Sequence, residues 1–595
     1  MKKAERIQFY QQRQIDFQQK ARQASGPIQA MGWLRVLVFL GGCVWLIYLG
    51  PRLSFGIGLG GALLILGLFL YLVKVHARQK ARRALWHCLA DINEKEIAAL
   101  QYQHPSFEEG AIYLNPAHPY SGDLDIFGSQ SVFAFLNRSA TQHGQNQLAQ
   151  WLQVPCQDSA EILSRQAAVQ ALARQTDFRQ NFQAQGFLYR EQSEEAQAVQ
   201  EWLKSPVRLP TRRYYRVLLV GMPALTLLTV LLAALAYLEA RWLFVPMLVQ
   251  LGIVSAHLPT LMKHANEVSR RSRFLQKYAA LMALTEGTTF ENERLLKRQN
   301  HLQGAGLGLA RLARLLDNME QGSSLMGLVF NALFMWSLQF LYRIEQWQAS
   351  QKADIGPWFE ALAELDALQS LGTLAFNQPD YVFPIPSTEE GLQAEALGHP
   401  LLPEENRVDN PVALSQRGQI LLITGANMAG KSTYLRAVGV NLVLAQAGAP
   451  VCAQSFRFSP MQLYTSMRTQ DSLQARESFF FAEIKRLHLI VEALKKPEPV
   501  LVILDEILKG TNSRDQHRGA EALILQMIKL RAMALVATHD LALGELATHY
   551  PDNVQNLCFE IDIQGEEMHF DYQLRQGISQ NLNATFLLQK MGITG

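Results

Sequence analysis

Charge is scarce in this sequence. Only 18% of its 595 residues are Asp, Glu, Lys or Arg, against 49% hydrophobic residues, and the formal net charge is +3. A total this close to balance neither implies nor excludes nucleic acid, because a basic surface can hide inside it. Cysteine is scarce as well. Cys43, Cys88, Cys156, Cys452 and Cys558 are scattered with no metal-ligand or redox spacing, which removes a cysteine-based metal site and favours reduced thiols in a cytosolic setting. No internal repeat or low-complexity tract is evident. The length implies roughly three to five domains.

The missing charge is concentrated in a few places. Leu53 to Val73 carries none, and Val36 to Pro51 none either; Met31–Leu34 extends that run past Arg35, which can snorkel. Together they predict a transmembrane hairpin turning at Pro51-Arg52. Val217 to Leu238 and Trp242 to Met262 predict a second, turning at Glu239-Ala240-Arg241. Each run is long enough for a hydrocarbon core, and the first starts too late for a cleavable signal. Basic residues flank both hairpins on the same side: Lys2, Lys3, Arg6, Arg13, Lys20 and Arg22, then Lys74, Arg78, Lys80, Arg82 and Arg83; Arg212, Arg213 and Arg216, then Lys263, Arg270, Arg271 and Arg273. The positive-inside rule therefore predicts an integral inner- or plasma-membrane protein with four transmembrane helices and everything else cytoplasmic. Gln321 to Tyr342 is also uncharged. A fifth crossing would carry the C-terminal half out of the cytoplasm, so this run is expected to be a buried helix, as Asn331, Ser337 and Gln339 suggest.

The most informative stretch is Gly425-Ala426-Asn427-Met428-Ala429-Gly430-Lys431-Ser432-Thr433, spaced Gly-x-x-x-x-Gly-Lys-Ser. Such a loop needs a strand before it and a helix after it. Gln419 to Thr424 is an apolar run suited to a buried parallel strand, and Ser432 to Ala447 has helical spacing. Glycines let the backbone turn several N–H groups onto one anion, and the helix N-terminus adds partial positive charge. Lys431 would reach the β- and γ-phosphates of ATP, and Ser432 would ligate Mg²⁺. Downstream, Pro499 to Leu504 is an apolar strand ending in Asp505 and Glu506. Asp505 suits a water-mediated Mg²⁺ contact, and Glu506 suits the base that aligns the attacking water. Ala534 to Thr538 is another buried strand, ending at His539. Spacing alone leaves that histidine open between a structural role and γ-phosphate sensing.

These residues carry a resemblance. Thr424 to Tyr434 resembles the phosphate loop of the MutS family of DNA mismatch-repair ATPases, with Ala426 and Ala429 where Pro and Gly are commonest. Leu136 to Val154, with Arg165-Gln166, is similar to the start of that family's helical core, and Gly398-His399-Pro400 to the start of its ATPase domain. Asp471 to Glu483 resembles the signature segment, Gly510 to Asp515 the interface loop, and Gly577-Ile578-Ser579 the dimer-supporting tail. The resemblance implies an ABC-type ATPase working as a homodimer. Ser478 would reach the partner subunit's ATP in trans, and His539 would be the switch histidine. No small-molecule substrate besides ATP is implied.

The expected architecture is α-helical membrane hairpins and an α-helical MutS-like core followed by an α/β phosphate-loop ATPase domain. In order, these are an N-terminal cytoplasmic helix (1–30), hairpin 1 (31–73), a linker (74–130), the first core part (131–216), hairpin 2 (217–262), the second core and lever part (263–370), a linker (371–397) and the ATPase domain (398–595). Mismatch-recognition members carry an N-terminal domain with a Phe-x-Glu wedge; here Phe107-Glu108-Glu109 fits only by letter. The chain therefore resembles a membrane-anchored MutS-like subgroup. DNA is a candidate partner, through basic helices such as Arg270-Arg271-Ser272-Arg273. The alternatives are an ABC-like transport or membrane-remodelling ATPase that does not bind DNA, and a scaffold that binds ATP with little turnover.

Overall fold

The computed structural model describes residues 3–53, 55–103, 107–189, 191, 199, 201–203, 213–259, 261, 268–322, 324–426, 428–468, 479–509, 511–564 and 567–580. Asn427, Ser478, Gly510 and the tail beyond residue 580 lie outside them.

The chain begins with a long helical arm. α1 (Lys3–Gln23) and α2 (Ser25–Val44) lead to a turn at Gly50–Arg52, and α3 (Phe55–Leu100) returns as one 46-residue helix. At 1.5 Å per residue α3 is about 69 Å long, roughly twice a hydrocarbon core. Its composition divides accordingly. Leu63, Leu64, Leu70 and Tyr71 in the first half are exposed, whereas Leu89, Ile92 and Leu100 in the second half are buried. The buried half is joined to the body by a polar chain. Tyr10 donates to Asn377 (2.8 Å), Asn377 donates to Glu96 (2.7 Å), and Arg138 donates to Glu96 (2.5 Å). Phe107 stacks under the Arg138 guanidinium at 3.8 Å and is buried, so this phenylalanine packs the interior and presents no wedge.

Three helices, Lys3–Arg52, Gly56–Leu100 and Tyr214–Ala233, are long and apolar enough to cross a membrane. The fourth expected span is shorter. Its apolar helix covers Arg241–Ala256 and is interrupted at His257, whose N–H turns back to Val254, before helical geometry returns at 258–259.

The helical body comprises α4 (Val132–Leu136), α5 (Gln142–Gln153), α6 (Ser159–Arg174) and α7 (Thr176–Phe187), then, beyond α8 (Arg213–Ala234) and α9 (Phe244–Ala256), α10 (Val268–Glu286), α11 (Glu293–His301) and α12 (Ala305–Gln321). α13 (Leu325–Phe334), α14 (Trp336–Gln351) and α15 (Ile355–Asn377) complete it. α15 is buried nearly all round, as a central helix must be. From it Asp366 accepts from the Ala140 and Thr141 amides (2.9 and 2.8 Å) and from the Thr141 hydroxyl (2.7 Å). This fixes the start of α5, where any residue larger than Gly144 would strike the carboxylate, since a Cβ there falls 2.2 Å from Asp366 Oδ2.

The uncharged run at 321–342 is not one buried helix. It breaks at Met335 (φ 51°). Asn331 holds the break, donating to Gly322 O (3.1 Å) and accepting from Ser337 N (2.8 Å). The buried reading holds for α14, where Ser337, Leu338 and Leu341 are enclosed. It fails for α13, which packs against α8 and α9 and leaves Met326, Leu328 and Val329 exposed.

The stretch read as a linker at 371–397 holds the end of α15 and the first strands. β1 (Ile385–Pro386), β2 (Leu392–Leu397), β3 (Asn410–Leu414) and β5 (Ser455–Phe458) form a small sheet ordered β1-β5-β2-β3. The main sheet is ordered β10-β9-β4-β8-β7-β6, from β4 (Ile420–Gly425), β6 (Gln462–Ser466), β7 (Val500–Asp505), β8 (Met533–Thr538), β9 (Val554–Gln564) and β10 (Glu567–Gln576). Only the β9–β10 pair is antiparallel. β4, β7 and β8 are buried along their whole length, as central parallel strands covered on both faces are. α16 (Lys431–Ala447), α17 (Phe479–Leu494) and α18 (Ser513–Lys529) flank this sheet.

The irregular stretch after α3 docks on the sheet's outer strand. Asp123 accepts from the Thr465 hydroxyl (2.5 Å) and from the Met467 and Arg468 amides (3.2 and 2.9 Å). Arg486 of α17 donates to His118 O (2.7 Å) and Pro119 O (2.5 Å).

Candidate nucleotide-binding site

The parallel strands end at one edge, where ligands bind in such sheets. Thr424 pairs with Thr538, and Asp505 with Ala537. That register brings together the loop after β4, the acids after β7 and His539 after β8. The loop turns with Gly425 at φ 149°, Met428 at φ 68° and Gly430 at φ 106°. A side chain at Gly425 would have its Cβ 2.7 Å from Phe559 O, so glycine is required there by space as well as by conformation. α16 starts directly at Lys431, with Gly430 as its N-terminal flank.

Lys431 is buried, and its amine donates to Gly425 O (2.6 Å) and Ala426 O (2.9 Å). Burial lowers its pKa, while Glu506 and Asp505 oppose that shift. Ser432 donates to Asp505 Oδ2 at 2.5 Å. The other carboxylate oxygen, Asp505 Oδ1, is buried without a hydrogen-bond partner among the described residues. A hydroxyl beside a carboxylate with an unpaired oxygen is a donor set suited to Mg²⁺, which keeps several waters and prefers hard oxygen ligands.

Glu506 sits at φ 54°, a strained value for a non-glycine residue, of the kind found at functional sites. Its carboxylate lies 2.5 Å from His539 Nε2 and 2.9 Å from Lys509 Nζ. The His539 contact, and then Lys509, push its pKa down to about 2 against the cost of burial. Glu506 is therefore an anion at neutral pH, able to accept a hydrogen bond from a water in the cavity. Asp540 is held in turn, by His517 at 2.5 Å.

Lys431, Ser432, Thr433 and Glu506 line one cavity of about 380 Å³ with Ala426, Met428 and Gly430, a volume in the ligand-site range. Ala429 is buried beneath the loop. The cavity's far wall was not foreseen from sequence. His399, Arg407, Val408, Phe559 and Tyr572 form it. Gly398-His399-Pro400 was legible as a landmark without a role. Tyr572 was not legible, because it sits in a bulge between Phe570 and Leu574 of β10 at φ 53°. Asn410 fixes that bulge, donating to Tyr572 O (3.0 Å) and accepting from Leu574 N (2.7 Å). The start of the C-terminal tail is tied to the same edge, Ser579 N donating to the Thr424 hydroxyl at 3.0 Å.

Comparison with known proteins agrees with this geometry. The model described as MutS domain V matches residues 421–586, and the one described as MutS domain III matches residues 120–208. Over 224 residues the chain is 34% identical to the DNA mismatch repair protein MutS of Thermotoga petrophila, covering 37% of this chain and 28% of that protein. It is 34% identical over 231 residues to the DNA mismatch repair protein msh3 of Aspergillus oryzae, covering 37% and 20%. It is 34% identical over 197 residues to the DNA mismatch repair protein MSH4 of Arabidopsis thaliana, covering 32% and 24%. The chain thus spans less than a third of the length of these relatives. Over residues 120–208 and 421–586 the chain thus matches domains III and V of the MutS family.

Proposed function

We propose that the chain is a membrane-anchored MutS-like ATPase, acting as a homodimer with composite sites. The observation that carries this reading is the convergence of Lys431, Ser432 and Glu506 on one cavity, with Asp505 bonded to Ser432. The phosphates of ATP would lie against the 425–433 loop and the start of α16. The nucleoside would occupy the wall formed by His399, Arg407 and Tyr572. Ser432, and Asp505 through water, would hold Mg²⁺, which supplies charge neutralisation on the phosphate oxygens. Glu506 orients the attacking water and accepts its proton. His539 holds Glu506 and reports on the γ-phosphate. Ser478 of the neighbouring copy would complete each site. Glu506→Gln is expected to keep ATP affinity and abolish turnover; unchanged turnover would remove Glu506 from the role of base.

The anchoring half of the proposal is supported by three apolar helices whose outward residues, such as Leu37, Ile47, Val217 and Val220, are exposed. Retention in the membrane pellet after alkaline extraction tests it; release into the supernatant would refute it. DNA coupling is the proposed output, and salt-dependent binding to the detergent-solubilised dimer tests it, since phosphate contacts must show at low salt. One observation favours the second reading, a DNA-independent membrane machine: α3 runs unbroken from its apolar half into the body. ATP turnover stimulated by lipid and indifferent to DNA would select it.

A further inference from the structure

The loop that carries Glu506 is strained twice, at Glu506 (φ 54°) and at Leu508 (φ 60°). Conformations of this kind persist only where the surroundings over-determine them. Three contacts do so. Glu506 N donates to Ala537 O of β8 at 3.0 Å. Gln516 of α18 donates to Ile507 O at 3.0 Å. Leu508 N donates to the carboxylate of Glu483 at 2.5 Å, and Gly519 of α18 leaves the room that the Leu508 side chain fills, since a Cβ there would fall 2.4 Å from it. The Glu483 contact differs from the other two in kind. It is a bond to a carboxylate, the stronger class, and Glu483 is only 3% exposed. Its second oxygen, Oε2, is buried with no hydrogen-bond partner among the described residues. A buried carboxylate with an unpaired oxygen costs stability, offset here by the Leu508 and Lys509 amides that bond to it. Glu483 lies in the first turns of α17, the helix that starts immediately after Ser478 in sequence.

We infer that Glu483 is a positioning residue for Glu506: from α17 it pins the Leu508 amide and thereby holds the catalytic carboxylate between His539 and the cavity. The inference rests on the proposed role of Glu506 as base. It adds a direct tie, within one subunit, between the helix following the partner-facing serine and the loop carrying that subunit's own base.

The test compares Glu483→Met, which keeps length and removes the acceptor, with Glu483→Gln, which keeps a neutral carbonyl acceptor, in the full-length detergent-solubilised protein. For Glu483→Met, kcat for ATP is expected to fall about 10²-fold, the usual cost of a small misplacement of a catalytic group. KM for ATP should stay within about twofold, since the nucleotide-binding wall is untouched. The acid limb of the kcat–pH profile should move upward, because Glu506 loses its fixed place beside His539. Glu483→Gln should recover most of kcat. A kcat for Glu483→Met equal to the parent's overturns the inference, and so does a parallel loss of kcat and ATP affinity, which would mark a merely structural residue. Should the Met variant not fold, Glu483→Gln decides by itself: its weaker, neutral acceptor should speed hydrogen exchange at Leu508 and lower kcat slightly, and parental kcat, with or without faster exchange, overturns the inference. A parent chain with no turnover would instead refute the ATPase reading, so the two failures are distinguishable.

Discussion

Asp123→Ala tests the joint between the helical body and the ATPase sheet. The side chain is buried and takes three donors from one stretch: the Thr465 hydroxyl, the Met467 amide and the Arg468 amide. Removing it strands the Met467 and Arg468 amides, while the Thr465 hydroxyl keeps Pro119 O, at 3.3 Å, as a second acceptor. Each orphaned donor costs about 1–3 kcal/mol, but Arg468 is half-exposed and water can serve its amide. Arg486, 4.0 Å away, is not stranded, because it also donates to His118 O, Pro119 O and Thr465 O. The net expectation is about 2 kcal/mol of lost local stability, roughly a 30-fold rise in opening. Hydrogen exchange read by mass spectrometry over residues 462–468 measures it directly. Asp123→Asn keeps one acceptor oxygen and should give about half the effect in energy. Exchange within about threefold of the parent for Asp123→Ala would refute the reasoning, because it would mean that the contacts at this joint do not hold the edge strand in place.

Other consequences are as specific. Lys431→Met should abolish ATP binding measured with a fluorescent analogue while leaving thermal stability near the parent's, since the amine's present partners are two loop carbonyls. Burial pushes the pKa of Asp366 up to about 6 from an ordinary 3.8, outweighing the four hydrogen bonds that lower it. The folded protein therefore binds more protons than the unfolded chain between these values. Stability should fall by about 3 kcal/mol as pH rises through that window, and Asp366→Asn should flatten the slope in denaturant titrations across it. Gly144→Ala should cost several kcal/mol through the collision with Asp366, visible as a lowered unfolding temperature; an unshifted transition would show that the α5–α15 contact can relax.

Legibility in the sequence followed the range of the interactions. The phosphate loop, the acids after β7 and His539 are local patterns, a strand followed by a residue at its carboxyl end, and the parallel register then assembles them without further information. The cavity's far wall depends on β10 folding back beside β9 and on Asn410 stapling a bulge more than a hundred residues away, which no periodicity announces. The run at 321–342 was legible as apolar but not as broken, because the break rests on one asparagine bridging two turns. The fourth apolar run reads as a span by composition, yet its helix is interrupted at His257. The irregular stretch before α4 offered prolines and no pattern, and its docking on β6 through Asp123 is a tertiary contact between residues more than three hundred apart.

The central claim is an ATPase whose sites are completed by the neighbouring copy, and subunit mixing tests it most directly. Lys431→Met and Ser478→Ala homodimers should each be inactive, one lacking the phosphate loop's lysine and the other the serine supplied in trans. In a mixed dimer one site pairs an intact loop with an intact serine. With random exchange, ATP turnover should recover to about a quarter of the parent's, half the dimers being mixed and each having one of two sites intact. Recovery to that level is the predicted result. No recovery on mixing, with exchange of subunits verified, or full activity of the Ser478→Ala homodimer by itself, would contradict the account.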